Sequence, residues 1–260
     1  LRKTTADELE NSVVVVDEAS MVDIITFYRL CDLLPESARL VLVGDPSQLM
    51  PIGPGLVLHA LERIESIPKV QLKVVKRYQG ALQAAAISIR EGIWPEIPTS
   101  SMFPIAFLGC EPGNIAAVTL QLYLESHETT QILSSSRNGP DGTNRLNARC
   151  QEELTANGPA LTVWNDDFGC VSFTGFHLGD LVICTRNLWE RGLQNGALGK
   201  LVEIEPEPRL ILNNQGEEIG CAIAWIEWDD GERRPLLVSM LDDLELGYAI
   251  TVHKAQGSQW

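Results

Sequence analysis

The stretch Val13-Val14-Val15-Val16-Asp17-Glu18-Ala19-Ser20 decides the fold of this chain. Four consecutive valines predict a fully buried strand, because β-branched side chains suit a pleated sheet and no position alternates to polar. Ligands of open α/β sheets bind beyond the carboxyl ends of the strands, which places Asp17 and Glu18 at a crevice. A nucleotide-hydrolysing site needs such a pair, one carboxylate for Mg²⁺ and one for the attacking water. The plainer alternative is an acidic helix start, in which Ser20 and Asp23 form a capping box.

A second strand with a polar end follows at the distance of one βαβ unit. The segment 39–43 reads Arg-Leu-Val-Leu-Val, and a turn containing Asp45 and Gln48 comes directly after it. A glutamine at such a strand end can hydrogen-bond the γ-phosphate of a nucleotide and sense its loss. On its own, however, a glutamine in this position is more often just a turn residue.

Together, VVVVDEAS (13–20) and LVGDPSQLMPIGPG (42–55) resemble motifs II and III of superfamily 1 helicases. The wording DEASMVD (17–23) resembles the RecD/TraA branch, whose members move 5′ to 3′ along single-stranded DNA. The resemblance implies that ATP and Mg²⁺ are the cofactors, with Asp17 as the Mg²⁺ ligand and Glu18 as the residue that handles the water. It also implies that Asp45 and Gln48 lie at the nucleotide.

The segment 71–79 resembles motif IV of the same family. Its Arg77 would reach the γ-phosphate from a second domain and act in catalysis. The family usually has arginine directly before glutamine, whereas here Tyr78 separates Arg77 from Gln79. A basic residue at a solvated strand end is the plainer alternative for Arg77.

Further along, Gly142–Gln151 matches the family pattern G-x-x-x-L-N-x-x-x-Q, just after a predicted strand at 130–133. Hydroxyl and amide groups at a strand end and a helix start are good donors to phosphate. Ser135 and Asn144 are therefore candidate DNA-binding residues. A capped helix on a polar loop is an equally good explanation of these residues.

The longest match is at residues 244–260, which resemble motif V and include the wording YAITVHKAQGS (248–258). The resemblance implies that Thr251, His253 and Lys254 contact the DNA strand, and that the pair Gln256 and Gly257 lies beside the nucleotide. Gln259 stands where the family often has an acidic residue.

The expected architecture is α/β, with two RecA-like P-loop helicase domains, one truncated and one nearly complete. From Phe176 the predicted elements are all short strands with turns such as Asp229-Asp230-Gly231, which suggests an inserted SH3-type β-barrel. The expected boundaries are 1–68 for the C-terminal part of the first RecA-like ATPase domain, 69–175 for the second RecA-like domain, 176–243 for the barrel, and 244–260 for the return to the second domain.

The charge balance opposes tight binding of nucleic acid. The formal net charge is −15, and residues 201–247 hold twelve Asp and Glu against three Arg. A translocating motor nevertheless needs only a narrow groove of hydroxyl, amide and a few basic groups. The six cysteines form no C-x-x-C pair, which argues against zinc or a disulfide framework. No apolar run is long enough for a membrane span, so we expect a cytoplasmic protein with no membrane partner.

The 260 residues contain no G-x-x-x-x-G-K-[ST] loop and no motif VI. We therefore expect a fragment of an ATP-dependent DNA helicase or translocase that does not hydrolyse ATP alone. Its expected partners are single-stranded DNA and other subunits of a recombination or conjugation complex. One alternative is a non-catalytic module that binds DNA or a partner, and another is a related RNA-directed motor, which the DEASMVD and HKAQGS wording disfavours.

Overall fold

The computed structural model describes residues 5–72, 74, 80–97, 105–165, 169–212, 215–256 and 258. The chain forms two compact units that divide between Gly109 and Cys110. The expected boundary at residues 68–69 stays a prediction, because residues 73 and 75–79 beside it lie outside these ranges. Within these ranges, no helix has the length and apolar character that crossing a membrane requires.

The first unit is built on a pair of parallel strands. Strand β1 (Val13–Val16) pairs with β2 (Arg39–Leu42), with Val13 opposite Arg39 and Val16 opposite Leu42. The parallel arrangement predicted for these two segments is confirmed. The helices of this unit are α1 (Ile24–Leu33), which connects β1 to β2, α2 (Val57–Glu62) and α3 (Ala81–Arg90).

Strand β1 is not the fully buried strand that four valines predict. Val13 and Val15 are each 59% exposed, whereas Val14 and Val16 are half-buried. Successive side chains of a strand point to opposite faces of the sheet. The described residues cover one face of β1 and leave the other largely open, so the prediction is wrong for this structure.

The start of α1 is capped by a different residue from the one expected. The Asp23 carboxylate accepts a hydrogen bond from the Thr26 N–H at 2.6 Å. Hydrogen bonding to Thr26 holds the pKa of Asp23 below its usual range. Ser20 lies in the preceding 3₁₀ turn, Ala19–Met21, and provides no cap. The predicted capping box is therefore wrong, since the short turn separates Ser20 from the helix.

The second unit contains two helices and nine strands among the described residues. The helices are α4 (Ile115–Ser126) and α5 (Thr143–Leu154). The strands are β3 (Ile132–Ser134), β4 (Ala160–Asn165), β5 (Cys170–His177), β6 (Leu181–Cys184), β7 (Leu198–Leu212), β8 (Glu218–Trp228), β9 (Arg233–Leu237), β10 (Leu244–Leu246) and β11 (Ala249–Thr251). Strand β11 pairs with β3 in parallel, and β4 pairs with β5 as an antiparallel hairpin. The final strand thus joins β3 in the α/β part of the unit.

The all-β region is an open sheet rather than a barrel. Its five strands lie in the order β10-β6-β7-β8-β9, all antiparallel, and no sheet of the described chain closes on itself. Register shifts interrupt the long β7–β8 pair at three places. The two edges of the five-stranded sheet are β9 and β10, and they do not pair with each other. The predicted SH3-type barrel is therefore wrong, because the strand pairing needed for closure is missing.

Gly247 marks the change of the chain from one sheet to the other. Its N–H donates to the Leu181 carbonyl at 2.8 Å. A Cβ added at Gly247 would lie 2.9 Å from the carbonyl carbon of Val182, closer than real contacts allow. The absence of a side chain here lets β10 end on the five-stranded sheet and β11 start beside β3.

Two hydrophobic clusters stabilise the second unit. The larger cluster lies on the five-stranded sheet and the β4–β5 hairpin, with Leu161, Leu201 and Ile226 at 1% exposure or less. The smaller cluster joins α4 and α5 to the β3–β11 pair, and contains Ala116, Tyr123, Ile132, Leu146, Cys150, Tyr248 and Ala249. The second cluster fixes β11, and with it the polar turn that follows.

Candidate functional site

In the first unit, the carboxyl ends of β1 and β2 lie side by side. The Val43 N–H donates to the Val16 carbonyl, and the Ala19 N–H donates to the Val43 carbonyl, both at 2.8 Å. These bonds continue the strand pairing past the last residue of each strand. Asp17 and Asp45 follow directly and therefore stand at the same edge of the sheet.

Glu18 adopts a left-handed backbone conformation that few non-glycine residues use. Its φ is 50° and its ψ is 41°. The Asp17 carboxylate accepts a hydrogen bond from the Glu18 N–H at 2.8 Å, and the Glu18 carbonyl accepts one from the Met21 N–H at 3.0 Å. The chain reverses at this residue, so that the exposed Asp17 and the half-buried Glu18 are held at the end of β1.

Gly44 lets the loop after β2 pass directly under the loop after β1. A Cβ at Gly44 would lie 3.0 Å from the amide nitrogens of both Ala19 and Ser20. The Ser20 side chain is 2% exposed, and its hydroxyl has no hydrogen-bonding partner among the described residues. The loops after β1 and β2 thus pack tightly against each other at Gly44.

Asp45 shapes the turn that presents Gln48. Its carboxylate accepts from the Ser47 N–H at 2.9 Å, and its carbonyl accepts from the Gln48 N–H at 3.0 Å. The Gln48 side chain is exposed. No group of three or more potential ligand side chains, His, Cys, Asp or Glu, converges within the described ranges. The arrangement fits Mg²⁺, which proteins commonly hold through one or two carboxylates while water and substrate phosphates complete the shell.

In the second unit, the parallel strands β3 and β11 also end side by side. The Val252 N–H donates to the Ser134 carbonyl at 3.0 Å. The Ser134 hydroxyl is occupied inside its own loop, donating to the carbonyls of Ser136 and Asp141. Ser135 is exposed at the end of β3. Ser135 and Thr251 are therefore brought to one edge of this sheet.

A tight turn follows β11. The Thr251 carbonyl accepts from the Ala255 N–H at 3.1 Å, and the Thr251 hydroxyl accepts from the Lys254 N–H at 3.4 Å. His253 is half-buried in the same turn. The Gln256 side-chain amide is enclosed, and both its nitrogen and its oxygen lack a partner among the described residues. An enclosed, unpaired amide is costly to a fold unless a ligand satisfies it.

Helix α5 carries both an exposed and a structural amide. Asn144 is exposed and donates to the Asn138 side-chain oxygen at 3.0 Å. Asn147 is buried, and its amide exchanges two hydrogen bonds with the backbone of Ala249, at 2.7 and 3.0 Å. Asn147 thus occupies the free edge of β11 as a neighbouring strand would. The Asn of the Leu-Asn pattern is therefore a structural residue in this chain.

The buried carboxylate of Asp180, for which the sequence gives no signal, holds several segments of this unit together. Asp180 is fully buried and accepts hydrogen bonds from the Gln151 amide at 2.6 Å, the His177 N–H at 2.7 Å and the Tyr248 hydroxyl at 2.8 Å, together with one from the Thr155 hydroxyl. Burial, with the charge of Asp180 beside it, raises the pKa of Tyr248. The network connects α5, through Gln151, to Tyr248 directly before β11. Asp180 follows Gly179 in a turn, and no sequence pattern marks it as a buried residue.

The sequence also gives no signal for a cluster of charged side chains near Thr251. Arg137 Nη2 contacts Glu245 Oε1 at 2.5 Å, and Lys254 Nζ contacts Glu245 Oε2 at 3.5 Å. Burial acts to raise the pKa of Glu245, but the hydrogen bond from Arg137 and the charge of Lys254 hold it below its usual range. Arg137 and Glu245 are 108 residues apart in sequence, so no local pattern could connect them.

A pocket opens where these groups meet. It is lined by Arg137, Thr143, Glu245, Thr251 and Lys254, with apolar residues of β6, β10 and β11 behind them. The predicted residues Thr251 and Lys254 thus share a pocket, whereas Ser135, Asn144, His253 and Gln256 do not line it. Of the other candidates, Asp17, Glu18, Asp45 and Gln48 belong to the first unit. Arg77 and Gly257 lie outside the described residues.

Comparison with known proteins gives three kinds of relative. The family described as AAA domain matches residues 3–97. The ATP-dependent RecD2 DNA helicase of Deinococcus radiodurans is 30% identical over 95% of this chain and is covered to 31% of its own length. The RecBCD enzyme subunit RecD of Mycolicibacterium smegmatis is 26% identical over 99% of this chain, and the match covers 45% of RecD. The conjugal transfer protein TraA of Agrobacterium fabrum is 26% identical over 97% of this chain, and the match covers 22% of TraA. The chain thus spans less than half the length of these relatives.

Solved structures are also similar to nearly the whole chain, and a Pif1 helicase is one of them. The Pif1 helicase from Bacteroides, crystallised with ADP-AlF3 and single-stranded DNA, superimposes with a TM-score of 0.54 at 15% sequence identity. The match covers 94% of this chain and 62% of the Pif1 chain. It shows a shared mixed α/β fold of the RecA-like class. The resemblance to RecD/TraA-type sequences, drawn from the motifs, is confirmed by the relatives.

Proposed function

We propose that this chain, whose sequence is of the RecD/TraA type of superfamily 1, is part of an ATP-driven motor that moves along single-stranded DNA. The observation that carries the proposal is the parallel β1–β2 pair, which puts Asp17 and Asp45 at one sheet edge. The similarity to RecD2 over 95% of the chain supports it. The activity belongs to the whole protein, of which this chain is one portion.

At the first unit, the nucleotide site is formed by the groups at the ends of β1 and β2. The Asp17 carboxylate would hold Mg²⁺ when the ion is bound with ATP, and the ion would supply positive charge against the phosphates. Glu18 orients the attacking water and accepts its proton. Asp45 shapes the turn so that the exposed Gln48 amide reaches the terminal phosphate. The left-handed conformation of Glu18 supports this role, since strained residues occur often at functional sites.

At the second unit, the DNA strand passes the carboxyl ends of β3 and β11. Ser135, Asn144, Thr251, His253 and Lys254 are the residues that we propose for contact with its backbone, through hydroxyl, amide and ammonium donors. By the same proposal, Gln256 contacts the nucleotide through its enclosed amide, which has no partner among the described residues. Arg77 and Gly257, which lie outside the described ranges, are the other proposed nucleotide contacts from the sequence. The protein works in the cytoplasm, with single-stranded DNA and subunits of a recombination or conjugation complex as partners.

The test uses the complete protein that contains this chain. We expect ATP hydrolysis stimulated by single-stranded DNA, and unwinding of a forked duplex that carries a 5′ tail. Glu18→Gln should lower the hydrolysis rate by about 10²–10⁴-fold, the usual contribution of a positioned general base. Glu8→Gln, an exposed carboxylate of the same unit, is the charge-matched control. Hydrolysis that is insensitive to both DNA and Glu18→Gln would rule out this function, and the absence of any hydrolysis by the complete protein would favour a non-catalytic binding module.

A further inference from the structure

The starting observation is a carboxylate held between two cations. Each oxygen of Glu245 contacts one of them, Oε1 with Arg137 at 2.5 Å and Oε2 with Lys254 at 3.5 Å. Arg137 follows β3, Lys254 follows β11, and Glu245 lies on β10. The three charges therefore come from three different segments and meet at the pocket that Thr143 and Thr251 also line.

This geometry suits a phosphodiester as well as it suits Glu245. Both groups are anions with two accessible oxygens, and both bind arginine and lysine through charge-assisted hydrogen bonds. The side chains remain accessible, with 53% of Arg137, 41% of Glu245 and 24% of Lys254 exposed. Ion pairs that are this exposed stabilise a protein weakly, so another anion can displace one partner.

We infer that Glu245 is an internal competitor of the nucleic-acid backbone: it holds Arg137 and Lys254 until a phosphodiester of single-stranded DNA displaces it, and it takes them back when the phosphate leaves. The inference rests on the proposed function of this edge of the sheet. The pocket then carries a local charge of +1 when Glu245 stays near, rather than +2. Lower attraction weakens binding, but it makes each phosphate easier to release, which a protein that steps along DNA requires.

The experiment compares Glu245→Gln with the wild type in the complete protein that contains this chain, in the absence of ATP. Binding of fluorescein-labelled oligo-dT is followed by fluorescence anisotropy from about 20 to 200 mM KCl, where phosphate contacts lose affinity steeply. We expect the variant to bind about 3–10-fold more tightly at low salt. The plot of log affinity against log salt should steepen by about 0.7, the value for one added phosphate contact with a single strand.

A matched control separates this effect from the general loss of one negative charge. Glu203 also pairs with an arginine, Arg233, on the five-stranded sheet, and its side chain is 49% exposed. Glu203→Gln should change affinity by less than twofold. Arg137→Gln should weaken binding, and the double variant Arg137→Gln with Glu245→Gln should lose the gain. Far-UV circular dichroism of each variant checks that it is folded.

The outcomes distinguish the inference from the proposed function. If the wild-type protein binds oligo-dT and Glu245→Gln binds no better than Glu203→Gln, the inference is overturned while the DNA-contacting edge stands. Binding that appears only in Glu245→Gln supports the inference in its strongest form. If neither protein binds at the lowest salt, the inference and the proposed DNA contact are both overturned.

Discussion

At the scale of single residues, Gly44 is the position where the first unit has least room. A Cβ there would approach the amide nitrogens of Ala19 and Ser20 to 3.0 Å, and both belong to backbone that cannot rotate away. We expect Gly44→Ala to lower the free energy of unfolding by about 1–3 kcal/mol, as is typical when a close-packed site receives an extra methyl group. Urea denaturation followed by circular dichroism measures the loss.

Gly109→Ala serves as the control for that substitution. Nothing lies within 4 Å of a Cβ at Gly109, so it should leave the urea midpoint within experimental error. Equal stability of the two variants would mean that the loops after β1 and β2 are not in the close contact described.

The same scale shows what the sequence could and could not predict about the site. Asp17 and Asp45 were placed correctly at adjacent strand ends, because each follows a β-rich segment directly and the strands are parallel. The cap of α1 was misassigned to Ser20, since the pattern Ser-x-x-Asp does not show the intervening 3₁₀ turn. The contact of Glu245 with Arg137 and Lys254 depends on three separate segments, which no local pattern can bring together.

At the scale of elements, the layer formed by α4, α5 and the β3–β11 pair buries acidic protons, among them those of Cys150 and Tyr123, beside that of Tyr248. Burial raises the pKa of the Cys150 thiol from 9.0 to about 12, and burial, together with Cys150, raises that of Tyr123 from 10.0 to about 12. The folded state keeps both protons at pH values where the unfolded chain releases them. Their stabilising contribution is complete below pH 9 and is lost as the pH rises towards 12.

We therefore expect the second unit to lose stability at alkaline pH. The free energy of unfolding should fall by roughly 1–3 kcal/mol per group between pH 9 and pH 12. Urea titrations at pH 8, 9.5 and 11, followed by tryptophan fluorescence, measure this dependence. The double variant Tyr123→Phe with Cys150→Ala should make the dependence shallower and leave the part that comes from Tyr248, whereas Tyr28→Phe, which removes an exposed hydroxyl of the first unit, should not change it. The same slope in both variants would show that other groups cause the loss.

The elements themselves were predicted well where one periodicity dominates. The sequence predicts helices at 81–91 and 114–126, and the structure has α3 and α4 there, with one end of each helix differing by one residue. The β4–β5 hairpin was missed, because its strands follow a helix without an Asn-Gly or Asp-Gly signal and include the exposed aromatics Trp164 and Phe173. The sequence predicts a strand at 201–204 only, whereas β7 spans Leu198–Leu212, because the two prolines within β7 argue against a longer strand.

At the scale of the whole molecule, the 260 residues carry strand-end carboxylates without a phosphate-binding loop. We expect this chain alone not to hydrolyse ATP, because the triphosphate lacks a backbone N–H cradle, its lysine and the hydroxyl ligand of Mg²⁺. A phosphate-release assay with saturating single-stranded DNA should read background. A turnover above about 1 s⁻¹ that disappears in Glu18→Gln contradicts this expectation.

The prediction of a closed barrel is wrong because closure is a long-range property that local sequence patterns do not report. Turn signals and alternation report whether neighbouring segments pair, and β6 through β9 do pair in sequence. Closure depends on whether the first and last strands of the set meet, which is a long-range property of curvature and stagger. Here β10 occupies the edge beside β6 and leaves β9 at the opposite edge.

The amide of Asn147 on the free side of β11 has a consequence for how copies of this chain behave together in solution. An uncovered strand edge presents unpaired N–H and C=O groups to which the strand of another copy can add, and this is a common route to aggregation. Asn147 satisfies both groups of Ala249 from within the same molecule. The side chain thus closes this edge to self-association, and it does so with a residue that cannot extend the sheet any further.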